Sequence, residues 1–260
     1  MRHMQHTAGT DRGTLLTAFN AEMQPERFKD YGPNGLQVEG RERIGQIVSG
    51  VTASRALIEA AIAEGADAIF VHHGLFWRGQ DGTVTGWMKE RLRLLLTHEI
   101  NLLAYHLPLD AHPVLGNNAQ LGRVLGLQAR GRFGEQDLGF IGSRGDGQSF
   151  ADARALARHV ETVLKRPVVA VGQSGEAIKN IAWCSGGAQG YFEAAIAAGA
   201  QAFITGEISE PQAHLARECG VAFLACGHHA TERYGAPAMA AHVAARLGVA
   251  HRFIDIDNPA

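Results

Sequence analysis

Short apolar runs alternate along this chain with longer segments whose apolar residues recur every three or four positions. "AIFV" (68–71), "INLLA" (100–104), "AFIT" (202–205) and "VAFLAC" (221–226) are runs of the first kind. They are too short for helices and are bounded by turn-forming residues, so they predict buried strands. Between them, "SRALIEAAIAEG" places Leu57, Ile58, Ala61 and Ile62 on one stripe of a predicted helix. Thr52 or Ser54 stands where a hydroxyl caps that helix, and Gly65 where a left-handed residue ends it. Strands alternating with helices predict βαβ units and a largely parallel sheet.

The pattern is written twice. "EAAIAEGADAIFV" and "EAAIAAGAQAFIT" share an unbroken register at an offset of 134 residues (59 to 193, 71 to 205). Upstream, "IGQIVSGVTAS" and "IKNIAWCSGGA" are each a short strand running into small residues, and Gly199 answers Gly65. A weaker echo pairs "RLRLLLTHEINLLAYHLPLD" with "PQAHLARECGVAFLACGHH" and aligns Ala104 with Ala225. The expected fold class is therefore α/β, with two pseudo-symmetric α/β lobes from an internal duplication. In chain order these are a first lobe over 13–126, a connecting segment over 127–178 packed on the lobes, and a second lobe over 179–260. The connecting segment is expected to hold a β segment in "GRFGEQDLGFIGSR", a helix in "FADARALARHVETVLKRP" and a strand in "VVAVG". Residues 1–12 read as a disordered start without the apolar stretch of a signal peptide.

Charge and cysteine content narrow the function classes. The net charge is −2 with no basic tract, which argues against a nucleic-acid or anionic-membrane partner. No run of about 18 apolar residues spans a membrane. Three cysteines without a CxxC pair suit reduced thiols and a cytoplasmic protein.

Histidine changes the picture most, with 13 copies, several of them clustered. Sites in open α/β sheets form beyond the carboxyl ends of the strands. Four such ends carry polar groups: His72 and His73; His106, Asp110 and His112 in "YHLPLDAH"; Glu207 in "TGEISE"; and His228, His229 and Glu232 in "GHHATERYG". Taken singly, a strand-end histidine is an ordinary core residue, Asp110 a turn residue and Glu232 a first-turn carboxylate. Taken together they point to a metal site, since buried imidazoles need partners and His228 and Glu232 at i, i+4 share a helix face. The donors are nitrogen and oxygen without thiolate, which suits Zn, Fe, Mn, Co or Ni. Their number exceeds the needs of one open zinc and fits two divalent metal ions sharing a carboxylate. His72 and His73 would then serve different ions where the chain bends at Gly74. The repeat register places Glu207 opposite His73 (73 to 207, the same offset).

"VHHG", "YHLPLDAH", "TGEISE" and "GHHATER", with "GPNGLQVEG" near the start and "FIDIDNPA" at the end, resemble the NIF-three-like proteins, also called GTP cyclohydrolase 1 type 2 homologues. The resemblance runs from about Leu15 onward. It implies two similar lobes facing each other with a dinuclear metal centre between them, and a ring-shaped homohexamer. It assigns the metal ligands to His72, His73, Asp110, His228 and Glu232, with His228 rather than His229 because the family pattern sets the ligand four residues before the glutamate. It further implies a metal-dependent hydrolase that opens the guanine ring of GTP at C8.

The residues alone do not show GTP: there is no P-loop and no basic cluster placed for a triphosphate. Asn34, Gln37, Arg78 and Arg233 are the candidates for contact with a small-molecule substrate. Glu207 is the candidate general base, or else an outer partner that orients a ligand histidine. His106, His112, His229 and Glu207 are expected to lie outside the metal coordination. A non-catalytic metal-binding adaptor and a phosphoesterase are the alternative readings. Pro237 leaves two local structures open: a helix beginning near Gly235 with Glu232 on the turn before it, or a kinked helix through both.

Overall fold

The structure, a computed structural model, describes residues 9–172 and 176–260. Residues 1–8 of the expected disordered start lie outside them, as do residues 173–175 of the connecting segment. The chain forms two compact units. One takes the residues up to Leu109 together with Ala236–Asp257, and the other takes Asp110–Gly235 and Asn258–Ala260.

The first unit contains β1 (Thr10–Asp11), α1 (Arg12–Met23), β2 (Gly35–Val38), β3 (Arg43–Ile44), β4 (Gln46–Thr52), α2 (Arg55–Ala63), β5 (Ala68–His73), α3 (Gly86–Thr97) and β6 (Asn101–Ala104). A short helix, α4 (Leu107–Ala111), carries the chain onward. The second unit contains α5 (Asn117–Val124), β7 (Leu127–Phe133), β8 (Gly139–Arg144), α6 (Ala153–Leu164), β9 (Val169–Val171), β10 (Ile181–Trp183), α7 (Phe192–Ala197), β11 (Ala202–Thr205), α8 (Glu210–Cys219), β12 (Ala222–Ala225) and α9 (His228–Glu232). Then α10 (Gly235–Leu247) and β13 (Ala250–Phe253) follow. β13 pairs in parallel with β4, so the C-terminal strand joins the first unit's sheet.

β1 and β3 pair as a small two-stranded sheet, and the two larger sheets share a plan. The first is ordered β13-β4-β5-β6-β2 and the second β7-β8-β10-β11-β12-β9. In each, three consecutive parallel strands form the centre and an antiparallel strand closes one side, β2 on β6 and β9 on β12. The pairing register repeats with the sequence. Ile47 pairs with Ala68 as Ile181 pairs with Ala202, the same 134-residue offset on both strands. Ala68 faces Asn101 as Ala202 faces Ala222. The duplication read from "EAAIAEGADAIFV" thus extends to backbone geometry.

Local chemistry explains the elements. The Ser54 hydroxyl accepts from the Leu57 amide at 3.2 Å and starts α2, while Gly65 at φ 72° ends the following turn. α6 starts on Asp152, whose carboxylate accepts from Ala155 N at 2.7 Å. In the first unit, Leu57, Ile58 and Ala61 pack on Val48, Ile69, Val71 and Leu102. Truncating Leu57, which is fully buried, to alanine would cost about 2–5 kcal/mol. In the second unit, Leu156, Val160 and Leu164 of α6 pack on Ile181, Trp183, Ile204 and Leu224. The chain-order connecting segment therefore supplies strands and a helix to the second unit's own core. Among the described residues no helix is long and apolar enough to cross a membrane. Cys184, Cys219 and Cys226 are free thiols, and Cys226 is core packing.

Candidate metal centre

Each unit gathers its polar groups beyond the carboxyl ends of its central strands. In the first, β5 is buried along its length and delivers His72 and His73 at its end. His72 is fully buried, and its Nδ1 lies 3.2 Å from the carbonyl oxygen of Tyr105, just past β6. A carbonyl only accepts, so Nδ1 carries the proton and Nε2 is left as the ring's electron-pair donor. His73 Nδ1 pairs with the Thr52 hydroxyl at the end of β4, at 3.1 Å. Neighbouring strand ends therefore orient both rings, the arrangement metal-ligating histidines need. The two ring planes are tilted by 43° with centroids 4.5 Å apart.

His106 joins them. One ring nitrogen from each of His72, His73 and His106 lies within 4.8 Å of the others, a cluster able to hold a metal ion. Its Nδ1 donates to Asp30 Oδ1 at 2.7 Å. Asn34 Nδ2 and the Leu107 amide donate to the other Asp30 oxygen. Burial works against the Asp30 carboxylate, but these bonds, with that from His106 foremost, hold its pKa below the ordinary value. Asp30 lies 76 residues from His106, and nothing in its local sequence announces the pair.

Asn34 also accepts from the His106 amide at 2.7 Å. Gln37 accepts from Leu75 N and donates to the Pro33 carbonyl. Arg78 donates from Nη2 to the Asp30 carbonyl at 2.8 Å. Three of the four candidate substrate contacts thus brace the loops around the imidazole cluster. Trp77 stands edge-on to His106 at 5.0 Å.

The second unit carries carboxylates of its own. Asp110, on α4, accepts from Asn117 Nδ2 at 2.9 Å and from the Ser185 hydroxyl at 3.2 Å. Glu232 ends α9, and a carboxylate oxygen of each lies within 4.8 Å of the other. Both are buried, at 8% and 3% exposure. Two buried anions this close repel unless a cation lies with them. Burial, and then the negative charge of Asp110, raise the pKa of the adjacent Cys184 thiol, which keeps it protonated.

His228, at the start of α9, supplies the local cation. Its Nε2 lies 3.2 Å from Glu232 Oε2 and its Nδ1 2.6 Å from Glu207 Oε1. The bond with Glu232 first, and that with Glu207, raise its pKa to about 9, with burial opposing them. A divalent ion would replace that proton and leave Glu207 holding Nδ1–H. The residues therefore fit a metal by a structural criterion: paired buried carboxylates beside an imidazole already backed by a third carboxylate. Glu207 Oε1 is thus the partner of His228 Nδ1.

Gly186 completes the wall. Its φ is +67°, and a Cβ there would lie 2.0 Å from Glu232 Oε1 and 3.1 Å from His228 Nε2. Its amide bonds to the Thr231 hydroxyl at 2.9 Å. In the sequence it lies within "SGGA" and reads only as a turn, so sequence reasoning missed it. Pro237 falls in the first turn of α10, and Glu232 ends the separate helix before it. His112 Nδ1 accepts from the Val114 and Leu115 amides. Arg233, the fourth substrate candidate, donates to the Leu164 carbonyl at 3.1 Å.

These features define a two-lobed α/β protein whose strand ends carry imidazole and carboxylate groups able to hold metal ions. The chain belongs to the Duf34/NIF3 (NGG1p interacting factor 3) family, whose pattern matches residues 10–259. It is 54% identical over 249 residues to the Neisseria meningitidis (serogroup A) protein called GTP cyclohydrolase 1 type 2 homolog, covering 96% of this chain and 99% of that one. The Escherichia coli K12 protein of the same name is 44% identical over 95% of this chain and 98% of its own. Among solved structures, the protein ybgI, described as of unknown function, superposes with a TM-score of 0.92 at 43% identity, over 96% of this chain and all of that one. A Thermus thermophilus protein gives 0.87 at 30% identity, again over 96% and 100%.

Proposed function

We propose that this protein is a dinuclear metal-dependent hydrolase acting on a nucleotide or related small molecule. The observation that carries the reading is the buried pair Asp110 and Glu232, within 4.8 Å of each other beside His228. In this proposal His72, His73, Asp110, His228 and Glu232 hold two divalent ions, with Zn, Fe, Mn, Co and Ni all compatible with nitrogen and oxygen donors. Paired ions supply hydroxide at neutral pH by lowering the pKa of bound water. The chain's own part is to fix the ligand rings through Tyr105, Thr52 and Glu207, and to hold His106 on Asp30 beside His72 and His73. The name shared by the relatives suggests GTP as the first substrate to try.

Metal analysis of protein purified without chelator should give about two divalent ions per chain, and a value near zero in metal-replete preparations would end the reading. Steady-state assays against nucleotides and phosphate esters should then show turnover that Glu232→Ala abolishes. Cleavage of phosphate esters alone would make it a phosphoesterase. Full metal occupancy with no turnover across the panel would favour an adaptor role. We also propose a cytoplasmic homohexamer; light scattering should return six copies of the 27.8 kDa chain, and a monomer would reject it.

A further inference from the structure

α9 is only five residues long, and it carries His228 at its first position and Glu232 at its last. A helix this short has no stability of its own, so whatever holds its ends sets where both side chains point. The end of α6 holds both.

At the start of α9 stands Gly227, with φ +97°; a Cβ there would lie 1.8 Å from Arg166 Nη1. The guanidinium therefore occupies the space that a side chain at position 227 would fill. The same guanidinium donates from Nη1 to the main-chain oxygen of Ala260 at 2.9 Å and from Nη2 to that of Pro259 at 3.0 Å. Ala260 O accepts in turn from the His229 amide at 3.2 Å, one of the first-turn amides a helix cannot satisfy internally. Just beyond the other end of α9, Arg233 donates to the carbonyl of Leu164, the last residue of α6. Lys165, at φ 57°, turns the chain between Leu164 and Arg166. The closing "DNPA" of the sequence thus has a mechanical place: Asn258 Oδ1 accepts from Ala260 N at 2.9 Å and folds the segment back onto the guanidinium.

We propose that Arg166 is a positioning residue for the metal centre, acting through Gly227 and the Pro259–Ala260 segment to fix α9 and so the aim of His228 and Glu232. The inference rests on the metal reading above. A planar fork that donates to two main-chain oxygens in the space left by a glycine is a task for arginine and not for lysine.

The test measures Zn(II) affinity by competition with a chromophoric chelator, and the visible spectrum of the Co(II)-loaded full-length protein. Arg166→Ala, and separately a chain ending at Asn258, should each weaken metal binding about 10–100-fold, the usual cost of losing an outer partner. Each should also shift the Co(II) bands. Guanidinium chloride, at a concentration too low to denature, should restore affinity in Arg166→Ala, which a general loss of stability would not allow. Arg154→Ala, on the exposed start of α6, should match the unaltered protein. Should Arg166→Ala not fold, Arg166→Lys is read in the same way. Unchanged affinity and spectrum would overturn the proposal, as would a loss that guanidinium leaves in place or that the shortened chain does not share. If the unaltered protein binds neither metal, the metal reading has failed, a result distinct from failure of the positioning role.

Discussion

His228 contributes a pH dependence to the stability of the metal-free protein. Its unfolded value is near 6.5 and its folded value is raised to about 9, chiefly by the bond with Glu232. A raised value means that the proton stabilises the fold below about 6.5, and that this contribution is lost as pH rises through 9. The urea midpoint of chelator-treated protein should therefore fall between these limits, and His228→Asn should flatten the slope; a midpoint rising over that range would contradict the pairing. Metal binding should tighten over the same interval, because the ion displaces that proton. Glu207 divides its two possible roles just as cleanly. As the partner of His228 Nδ1, Glu207→Gln should weaken metal affinity about 10-fold or more. If Glu207 instead moves a proton of the substrate, affinity stays and turnover alone falls.

Glycine at 186 is an element-scale requirement, because it lets the loop after β10 pass against the side chains of α9. Gly186→Ala forces a left-handed alanine, at a cost of about 1–2 kcal/mol, and pushes Glu232 aside. It should lose metal binding while thermal unfolding shifts only modestly; full metal occupancy in Gly186→Ala would show that the loop yields. Strands that lead into candidate site residues are legible in the amino-acid sequence. β5 and β11 are continuous apolar runs, and the 134-residue repeat sets their mutual correspondence. Ser54 and Gly65 mark the ends of α2 because capping is a local matter. β13 is not legible as a member of the first sheet: "AHRF" has no continuous apolar run, and its pairing with β4 is a contact across some 200 residues, such as Ser49 with His251 (2.8 Å). Asp30 and Arg166 escape for the same reason, since each acts on residues distant in sequence. The ligand candidates His72, His73, Asp110, His228 and Glu232 are visible because they cluster at strand ends, and the structure adds which neighbour orients each ring.

At the scale of the whole molecule, candidate metal ligands fall in both units, so bound metal would have a consequence for stability as well as for chemistry. His72 and His73 belong to one unit, while Asp110, His228 and Glu232 belong to the other. A ligand held only by the native state stabilises it by RT ln(1 + [L]/Kd), about 4 kcal/mol at a thousandfold excess over Kd. Metal-loaded protein should therefore unfold at a higher temperature in calorimetry than chelator-treated protein. His72→Ala and Asp110→Asn, one change in each unit, should each remove part of that increment. A transition that chelation leaves unmoved would contradict metal binding by the folded chain, and an increment that neither substitution reduces would place the ions on other residues.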